Sequence, residues 1–401
     1  MAVQDDAHPP HSWKPLSRSE QARFDLGYAV FNTEWVPANS PAGRIDGLGP
    51  VFNVQGCDAC HNSRRRGRGP RGDGEAPGDL VVQLGGTDLY GRVLNTAAIP
   101  GFKPEGQVWI HYTSRRVRLA DDTTIELHEP NYRIANLAGP PLPGGTVLSP
   151  RMPPAVQGAG LLELVPQSEL ESVVRLQKRA TRDVRGRISW LRTDHGRVIG
   201  RLGWQAGQAT VIDQVAAAFS REMGLTNPVA AFDDCGRWDA ACRTAPNGGV
   251  PEVAPDLFEA VVAFERWHAV PVAKMPDRSA LGAQLFARIG CADCHRSTLA
   301  IDTGAVIHPY TDLLLHNLGV GLADRNLSGA LIPSAWRTAP LWGLHASLVA
   351  NQPPRLLHDG RARSVEEAVL WHEGEALRAR DAYSHLNVQQ RQSLIDWIAG
   401  L

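Results

Sequence analysis

Two copies of the pentapeptide Cys-x-x-Cys-His constrain this chain more than any other feature of its sequence. They occur as Cys57-Asp-Ala-Cys60-His61 and as Cys291-Ala-Asp-Cys294-His295. Only six cysteines and fourteen histidines are present among 401 residues, so a chance pair is improbable. The pentapeptide is the attachment signature of c-type haem, in which both thiols bind the porphyrin and the histidine ligates the iron. The sequence therefore predicts two covalently attached haems, with His61 and His295 as proximal ligands.

Two other kinds of site use the same residue types. A thioredoxin-like redox pair needs the two cysteines, but it does not need the following histidine and is not expected twice. A zinc site would need all four thiols to meet at one ion, which would leave both histidines without a role. Haem attachment uses every residue of both motifs, and it is the interpretation that we adopt.

The composition is that of an ordinary globular protein, with 43% hydrophobic and 21% charged residues. A chain of 401 residues is expected to form two or three domains. The 41 basic and 42 acidic residues leave a net charge of -1. This balance argues against nucleic acid as a main partner, because phosphate binding needs a basic field. No apolar run is long enough for a membrane span.

The two remaining cysteines, Cys235 and Cys242, lie seven residues apart in a stretch rich in glycine and aspartate. Two free thiols are the alternative, but exposed free thiols are unusual outside the cytosol, so we expect a disulfide. A disulfide and covalent haem both indicate an oxidising compartment, and we predict a periplasmic protein. The first ten residues have neither the basic nor the apolar region of a signal peptide. The leader is therefore interpreted as removed or replaced in this sequence.

Helical signals dominate the rest of the chain. Capping-box patterns begin at Ser17 and Ser364, whereas residues 108–128 alternate in the manner of a β-hairpin around an Asp-Asp turn. We predict a mainly α fold with two cytochrome c-like haem domains. The first would cover 1–250, with the small β insertion and the disulfide loop, and the second would cover 251–401.

Function depends on whether each iron is capped on both faces. All four methionines precede the second haem motif, so a ligand supplied from downstream must be another residue type, and histidine is the usual one. In the segment SVEEAVLWH, His372 shares one helical face with Val365, Ala368 and Val369. Such a histidine is often only a hydrogen-bonded core residue. With a haem nearby that lacks a methionine partner, we predict that His295 and His372 are the two axial ligands.

The first haem has fewer candidate ligands. After His61 there is no histidine until His111, which lies in the predicted hairpin. We therefore expect an iron that is five-coordinate or capped only by water. Met152 is the alternative ligand, although the two prolines that follow it indicate a rigid loop.

Several segments resemble the bacterial di-haem cytochrome c peroxidase–MauG superfamily. The C-terminal resemblance lies in PYTDLLLHNLGVGLAD (309–324), WRTAPLWG (336–343) and LLHDGRARSVEEAVLWH (356–372). The N-terminal half is similar to a narrower branch, the di-haem oxidoreductases described as peroxidases. This similarity lies in GPVFNVQGCDACHNSRRRGRGP (49–70), SPRMPPAVQGAGLLELVP (149–166) and LGWQA (202–206).

The resemblance implies that the C-terminal haem relays electrons while the N-terminal haem meets hydrogen peroxide on an open face. It also implies that the position of His372 caps the relaying haem. Superfamily enzymes use a distal glutamate, for which Glu163 is our candidate, with a surface or helix-start role as the alternative. They also place a tryptophan between the haems, for which we choose Trp204 before Trp190.

The same resemblance assigns supporting roles. His358 and Arg361 of the HDGR motif are expected to fix haem propionates or the domain interface, with His316 nearby. A calcium ion between the domains is a further expectation, although no acidic loop in the sequence indicates one.

The leading hypothesis is a peroxidase whose electrons come from a small redox protein, either a cytochrome c or a cupredoxin. One alternative is peroxide-driven oxidation of a side chain of a partner protein, which a bis-histidine haem would favour. The other alternative is a non-enzymatic carrier with both irons capped.

Overall fold

The computed structural model describes residues 10–41, 43–61, 65–179, 183–271, 277, 279–350 and 354–401. Short 3-10 helices within these residues are Gly43–Ile45, Cys291–Asp293, Val320–Leu322 and Gly374–Ala376. The α-helices are α1 (Arg18–Phe31), α2 (Cys57–His61), α3 (Ala159–Glu163), α4 (Gln167–Arg179), α5 (Val211–Glu222), α6 (Ala240–Arg243), α7 (Pro255–Trp267), α8 (Leu281–Ile289), α9 (Leu344–Ala350), α10 (Val365–Leu370), α11 (Leu377–Ser384) and α12 (Val388–Ala399).

Strands form several small sheets. The largest has the order β16-β15-β9-β5, and a three-stranded sheet has the order β4-β7-β8. The strands are β1 (Val36–Pro37), β2 (Asp46–Leu48), β3 (Val51–Phe52), β4 (Gly74–Glu75), β5 (Val81–Gly85), β6 (Ala97–Ala98), β7 (Gln107–Arg118), β8 (Thr124–Ala135), β9 (Val147–Arg151), β10 (Ser189–Thr193), β11 (Gly196–Gly200), β12 (Leu299–Ala300), β13 (Val306–Ile307), β14 (Leu315–Asn317), β15 (Asp324–Asn326), β16 (Leu331–Ile332) and β17 (Ala335–Arg337).

The prediction of a mainly α fold is wrong. The structure is 32% helical and 21% strand, which makes it a mixed α/β fold. Many of the strands have only two to five residues, too few for an alternating pattern to be recognised. Their partners are also distant in sequence, as where Leu148 of β9 pairs with Arg325 of β15.

A closely packed pair of helices lies beside each haem motif, and the first pair joins residues from both sides of the predicted boundary. Helix α1 packs on α7 where Gly27 meets Ala260, and a Cβ atom at Gly27 would lie 2.0 Å from the Ala260 carbonyl oxygen. Helix α8 packs on α12 in the same manner, with Gly282 placed so that a Cβ atom would lie 2.3 Å from the Ser393 carbonyl oxygen. The two helix pairs flank the two haem motifs. The boundary between 250 and 251 stays a prediction.

Two large apolar clusters form the core, and each includes residues from both sides of the predicted boundary. The larger cluster is built around α5 and α7, and the second is built around α8, α10 and α12. The hairpin predicted for 108–128 is formed by β7 and β8, and it reaches further, to Ala135. In the part of the chain that the structure describes, no helix has the length and apolar character needed to cross a membrane.

Candidate functional site

A large internal cavity, of about 970 Å³, runs between the two halves. His61 lines it from the first motif, and Cys291, Cys294 and His295 line it from the second. His372 lines the same cavity from the segment that follows α10. The structure thus brings His61, His295 and His372, the three ligands predicted from the sequence, to one cavity.

The first motif forms the short helix α2, which buries its histidine. The Nδ1 atom of His61 donates to the carbonyl oxygen of Pro154 at 2.9 Å, which leaves Nε2 to serve as a ligand. Burial lowers the pKa of His61 to about 4, so the imidazole is neutral, as iron ligation requires. Cys57 and Cys60 are unpaired thiols, and burial raises the pKa of both.

The second motif repeats this arrangement in a 3-10 turn. The Nδ1 atom of His295 donates to the carbonyl oxygen of Tyr310 at 2.9 Å, and burial lowers the pKa of His295 to about 4. Cys291 and Cys294 are free thiols. A carbonyl that orients a ligating imidazole is the usual support for a metal-bound histidine.

His372 presents a third imidazole of the same kind. Its Nδ1 atom donates to the carbonyl oxygen of Ala368 at 2.6 Å, and burial lowers its pKa. The rings of His295 and His372 line the same cavity. Helix α10 ends at Leu370, so His372 lies just beyond the helix rather than within it.

These donor sets fit haem. Each of the three imidazoles has Nδ1 occupied by a carbonyl and Nε2 free, and each motif offers two unpaired thiols beside its histidine. A predominantly apolar cavity suits a porphyrin. Sequence comparison identifies the group more broadly: residues 93–401 match the family "Di-haem oxidoreductase, putative peroxidase".

The chain belongs to this family. Membership implies haem cofactors. No protein with a curated description matches the chain. Among solved structures, a hydrazine synthase chain from Kuenenia stuttgartiensis, from a crystal pressurised with xenon, is similar at 15% identity with a TM-score of 0.38. The match covers 100% of this chain and 99% of that one, but at this TM-score it supports no conclusion.

Glu163, the predicted distal residue of this di-haem oxidoreductase, makes a different set of contacts. Its carboxylate accepts from the guanidinium of Arg266 at 2.9 and 3.2 Å and from the backbone N–H of Val211. Glu163 is not among the residues that line the cavity in the described part of the chain. The structure therefore does not bring Glu163 and His61 together, because the carboxylate ties α3 to α5 and α7.

Two glutamates that the sequence analysis missed do line the cavity. Glu222 ends α5 and Glu265 lies on α7. Burial raises the pKa of Glu222 to about 7 and that of Glu265 to about 8, and the charge of Glu222 contributes to the second shift. Both side chains line the same cavity as His61, and their charges add to the effect of burial in raising the pKa of Cys57.

No local signal in the sequence distinguishes Glu222. It is the last residue of α5, whereas His372 lies two residues beyond the end of α10, so the two residues do not occupy matching positions. A glycine with positive φ follows each of them by two residues, as is common after helices.

Met152, the alternative ligand of the first haem, is fully buried. A Cβ atom at Gly69 would lie 2.5 Å from its sulfur, and one at Gly360 would lie 3.2 Å away. The sulfur is therefore held in a slot that two glycines create.

A group of aromatic rings lines the cavity that the two haem motifs share. The Trp336 and His358 rings stack at 3.8 Å between centroids, with the Arg151 guanidinium 4.3 Å from the Trp336 ring. Trp204 meets His358 edge-on at 6.5 Å. All four side chains line the cavity. Trp190 is 41% exposed on β10 and stands outside this group.

The charged residues predicted around the haems are buried in the described structure. Arg361 donates to Asp359, and both residues belong to the HDGR motif. His316 lies between the carboxylates of Asp312 and Glu375, at 2.8 Å from each, and these partners raise its pKa to about 12.

One group of residues in the described chain, Cys294, Asp312 and His316, brings its donor atoms within 4.8 Å of one another. Both His316 nitrogens are already engaged by carboxylates, so this group does not resemble a calcium site. Calcium stays a prediction. The sulfur atoms of Cys235 and Cys242 lie 2.00 Å apart, which is a bonding distance. Oxidation in the mature protein stays a prediction as well.

Proposed function

We propose that this di-haem oxidoreductase reduces hydrogen peroxide at the haem held by His61, with electrons relayed from the haem held by His295 and His372. The observation that carries the proposal is that the cavity shared by the motif histidines is lined by two different kinds of titratable side chain. His372 offers a third imidazole, whereas Glu222 and Glu265 offer buried carboxyls with raised pKa values. An imidazole caps iron, but a carboxyl that is protonated near neutral pH is suited to proton transfer.

The cofactors would be held by the two motifs. Cys57 and Cys60 would form thioethers with one haem, and Cys291 and Cys294 with the other. When bound, a haem with one protein ligand supplies an open iron that accepts peroxide, and a haem with two ligands supplies a site for electron storage.

Glu222 would act as the acid–base group of the reaction. Reduction of hydrogen peroxide to two water molecules consumes two electrons and two protons. As a carboxylate, Glu222 would accept the proton of one peroxide oxygen and return it to the other. The two protons that the reduction consumes would both come from solvent through the neighbouring carboxyl of Glu265, whose pKa near 8 keeps it protonated at neutral pH.

The stacked rings provide the route for the electrons. Trp336 stacks on His358, Trp204 meets His358 edge-on, and all three rings line the cavity that the two motifs share. Burial lowers the pKa of His358 to about 3, so its ring is neutral and adds no charge to the path. The electrons would enter from a small redox protein, and we place the enzyme in the periplasm because covalent haem and the Cys235–Cys242 pair both favour an oxidising compartment.

Ferric-state spectroscopy of the holoprotein tests the proposal. We expect one high-spin haem and one low-spin haem, and two donor electrons consumed for each peroxide. Two low-spin haems would contradict the proposal and favour an electron carrier. A high-spin haem that reacts with peroxide but takes no electrons from a small donor would instead favour oxidation of a partner protein.

A further inference from the structure

The hairpin β7–β8 leaves the first half of the chain and ends on the second. Its strands pair without interruption from Gln107 with Ala135 to Arg118 with Thr124. Leu119 at the tip and Leu127, which pairs with Arg115, are 3% and 0% exposed, and both belong to the apolar cluster built around α8, α10 and α12. The insertion is therefore a strap across the two haem domains.

Polar contacts fasten the tip of the strap. The backbone N–H of Ala120 donates to the carbonyl oxygen of Ser384 at 3.0 Å. Arg391 of α12 forms an ion pair with Asp121 at 2.9 Å, and this arginine is 5% exposed. Because the apolar and polar contacts act together, the tip has one defined position on the second half.

A side chain in the middle of the strap reaches the segment that carries His372. Arg115 forms an ion pair with Glu373 at 2.8 Å, and its guanidinium lies 5.7 Å from the ring of Trp371. These two residues flank His372 directly. Glu373 is 14% exposed, so its pairing is screened less by solvent than a surface ion pair would be.

The other side of the same segment is held from within the second half. Arg380 also pairs with Glu373, at 3.2 Å, and Glu375 accepts from the charged ring of His316 at 2.8 Å. Helix α10 ends before His372, but its backbone still orients the imidazole, because the carbonyl oxygen of Ala368 accepts from Nδ1 at 2.6 Å. The contacts of Trp371 and Glu373 then hold the backbone that carries His372 beyond the end of the helix.

We propose that the strap positions the sixth ligand of the second haem, with Arg115 as the positioning residue. The proposal rests on the proposed function, in which His372 ligates that iron. Since Arg115 comes from the first half, the strength of a ligand at the electron-relaying haem depends on the docking of the peroxide-reducing domain. Without this contact the His372 segment moves more freely, and the iron opens more often.

Carbon monoxide binding to the fully reduced holoprotein tests this inference, because the gas binds iron only after the sixth ligand leaves. The first haem is open and binds first, so the second haem gives the weaker phase of the titration. In Arg115→Ala we expect the affinity of this phase to rise about tenfold, within the usual range of coupling between two sites. Arg115→Lys, which keeps the charge, restores part of the wild-type affinity.

Three further variants complete the experiment. Arg118 lies on the same strand as Arg115. The variant Arg118→Ala removes an exposed ion pair with Asp122 of the turn, and we expect it to leave both phases of the titration unchanged. Glu373→Gln removes the ion pair with Arg115 by changing its acidic partner. It tests the positioning role if Arg115→Ala fails to fold. His372→Ala abolishes the low-spin signal of the second haem if the proposed ligation is right.

The outcomes separate the two proposals. Loss of the low-spin signal in His372→Ala, with unchanged carbon monoxide affinity in Arg115→Ala and Glu373→Gln, overturns the positioning role and leaves the proposed function intact. An unchanged low-spin signal in His372→Ala overturns both. A rise in affinity confined to the Arg115 and Glu373 variants supports the positioning role.

Discussion

The carboxyl groups of Glu222 and Glu265 share one buried cavity, and the charge of the first raises the pKa of the second. The two side chains come from different helices, α5 and α7, which meet beside the first haem motif. Buried carboxyls with raised pKa values are common where proton transfer occurs.

Replacing Glu222 by glutamine should slow the reaction of the holoprotein with peroxide by roughly 10²–10⁴-fold, because the amide cannot accept a proton. Stopped-flow absorbance measures this rate, and the haem spectra before mixing should be unchanged. Glu163→Gln is the matched control, since its carboxylate pairs with Arg266. A slow Glu163 variant beside a normal Glu222 variant would show that the residue chosen from the sequence is the right one.

The reaction with peroxide should become faster as the pH rises through about 7, the pKa of Glu222. Glu222 acts as a base only when deprotonated, and burial holds its pKa above the ordinary carboxyl value of 4.5. Its charged neighbours are Arg221, which lowers its pKa, and Glu265 across the cavity. The Glu222→Gln variant should lose this pH dependence. A wild-type rate that is flat between pH 5 and 9 would exclude Glu222 as the base.

His372→Ala should convert the second haem from low-spin to high-spin and raise its reduction potential, because an imidazole ligand favours the ferric state over an open position. Redox titration followed by absorbance measures both changes. His385→Ala is the control, since this histidine is exposed and donates only to the backbone of Asp381. A low-spin second haem in His372→Ala would mean that another residue caps the iron.

Trp336→Phe should slow the transfer of electrons between the two haems while leaving each haem spectrum unchanged. Phenylalanine keeps a ring against His358, but it is harder to oxidise and loses the hydrogen bond to the Leu322 carbonyl. Rapid mixing of the half-reduced protein with peroxide measures the rate. Trp190→Phe is the control, because that ring lies on an exposed strand. Equal rates in both variants would exclude Trp336 from the path.

Cys235 and Cys242 should both resist alkylation in the native protein until a reductant is added, and mass spectrometry of the peptides will show it. Replacing both by serine should lower the free energy of unfolding by about 2 kcal/mol, the usual contribution of a short disulfide loop. Two alkylated cysteines without reduction would contradict the predicted bridge.

Sequence patterns located the parts of the site that depend on local structure. The spacing within each haem motif places two thiols beside a histidine on one turn, whatever the rest of the chain does. The capping box at Ser17 and Glu20 is also local, and it is confirmed. Family membership was recognisable from the same short segments, and it is confirmed as well.

The parts that sequence reasoning missed depend on contacts between distant segments. The apolar stretch around Glu163 indicated that its side chain is largely buried, at 15% exposed. It gave no sign of Arg266, 103 residues later, which forms an ion pair with the carboxylate. Glu222 and Glu265 each lie on an ordinary amphipathic helix. Only the packing of those two helices brings both side chains to one cavity. The short strands were missed for the same reason, since their pairing is non-local.

The strap also sets an order in which the protein can be made. Leu119 and Leu127 leave the ribosome long before the residues of the second apolar cluster that cover them, which extend to Leu401. Until that cluster has formed, the strap therefore exposes two leucines and a long pair of strands without their final partner. Because domains generally fold as units, much of the first half can fold while the strap still lacks that partner. The second half is then assembled on a surface that the first half has already built, rather than as an independent module.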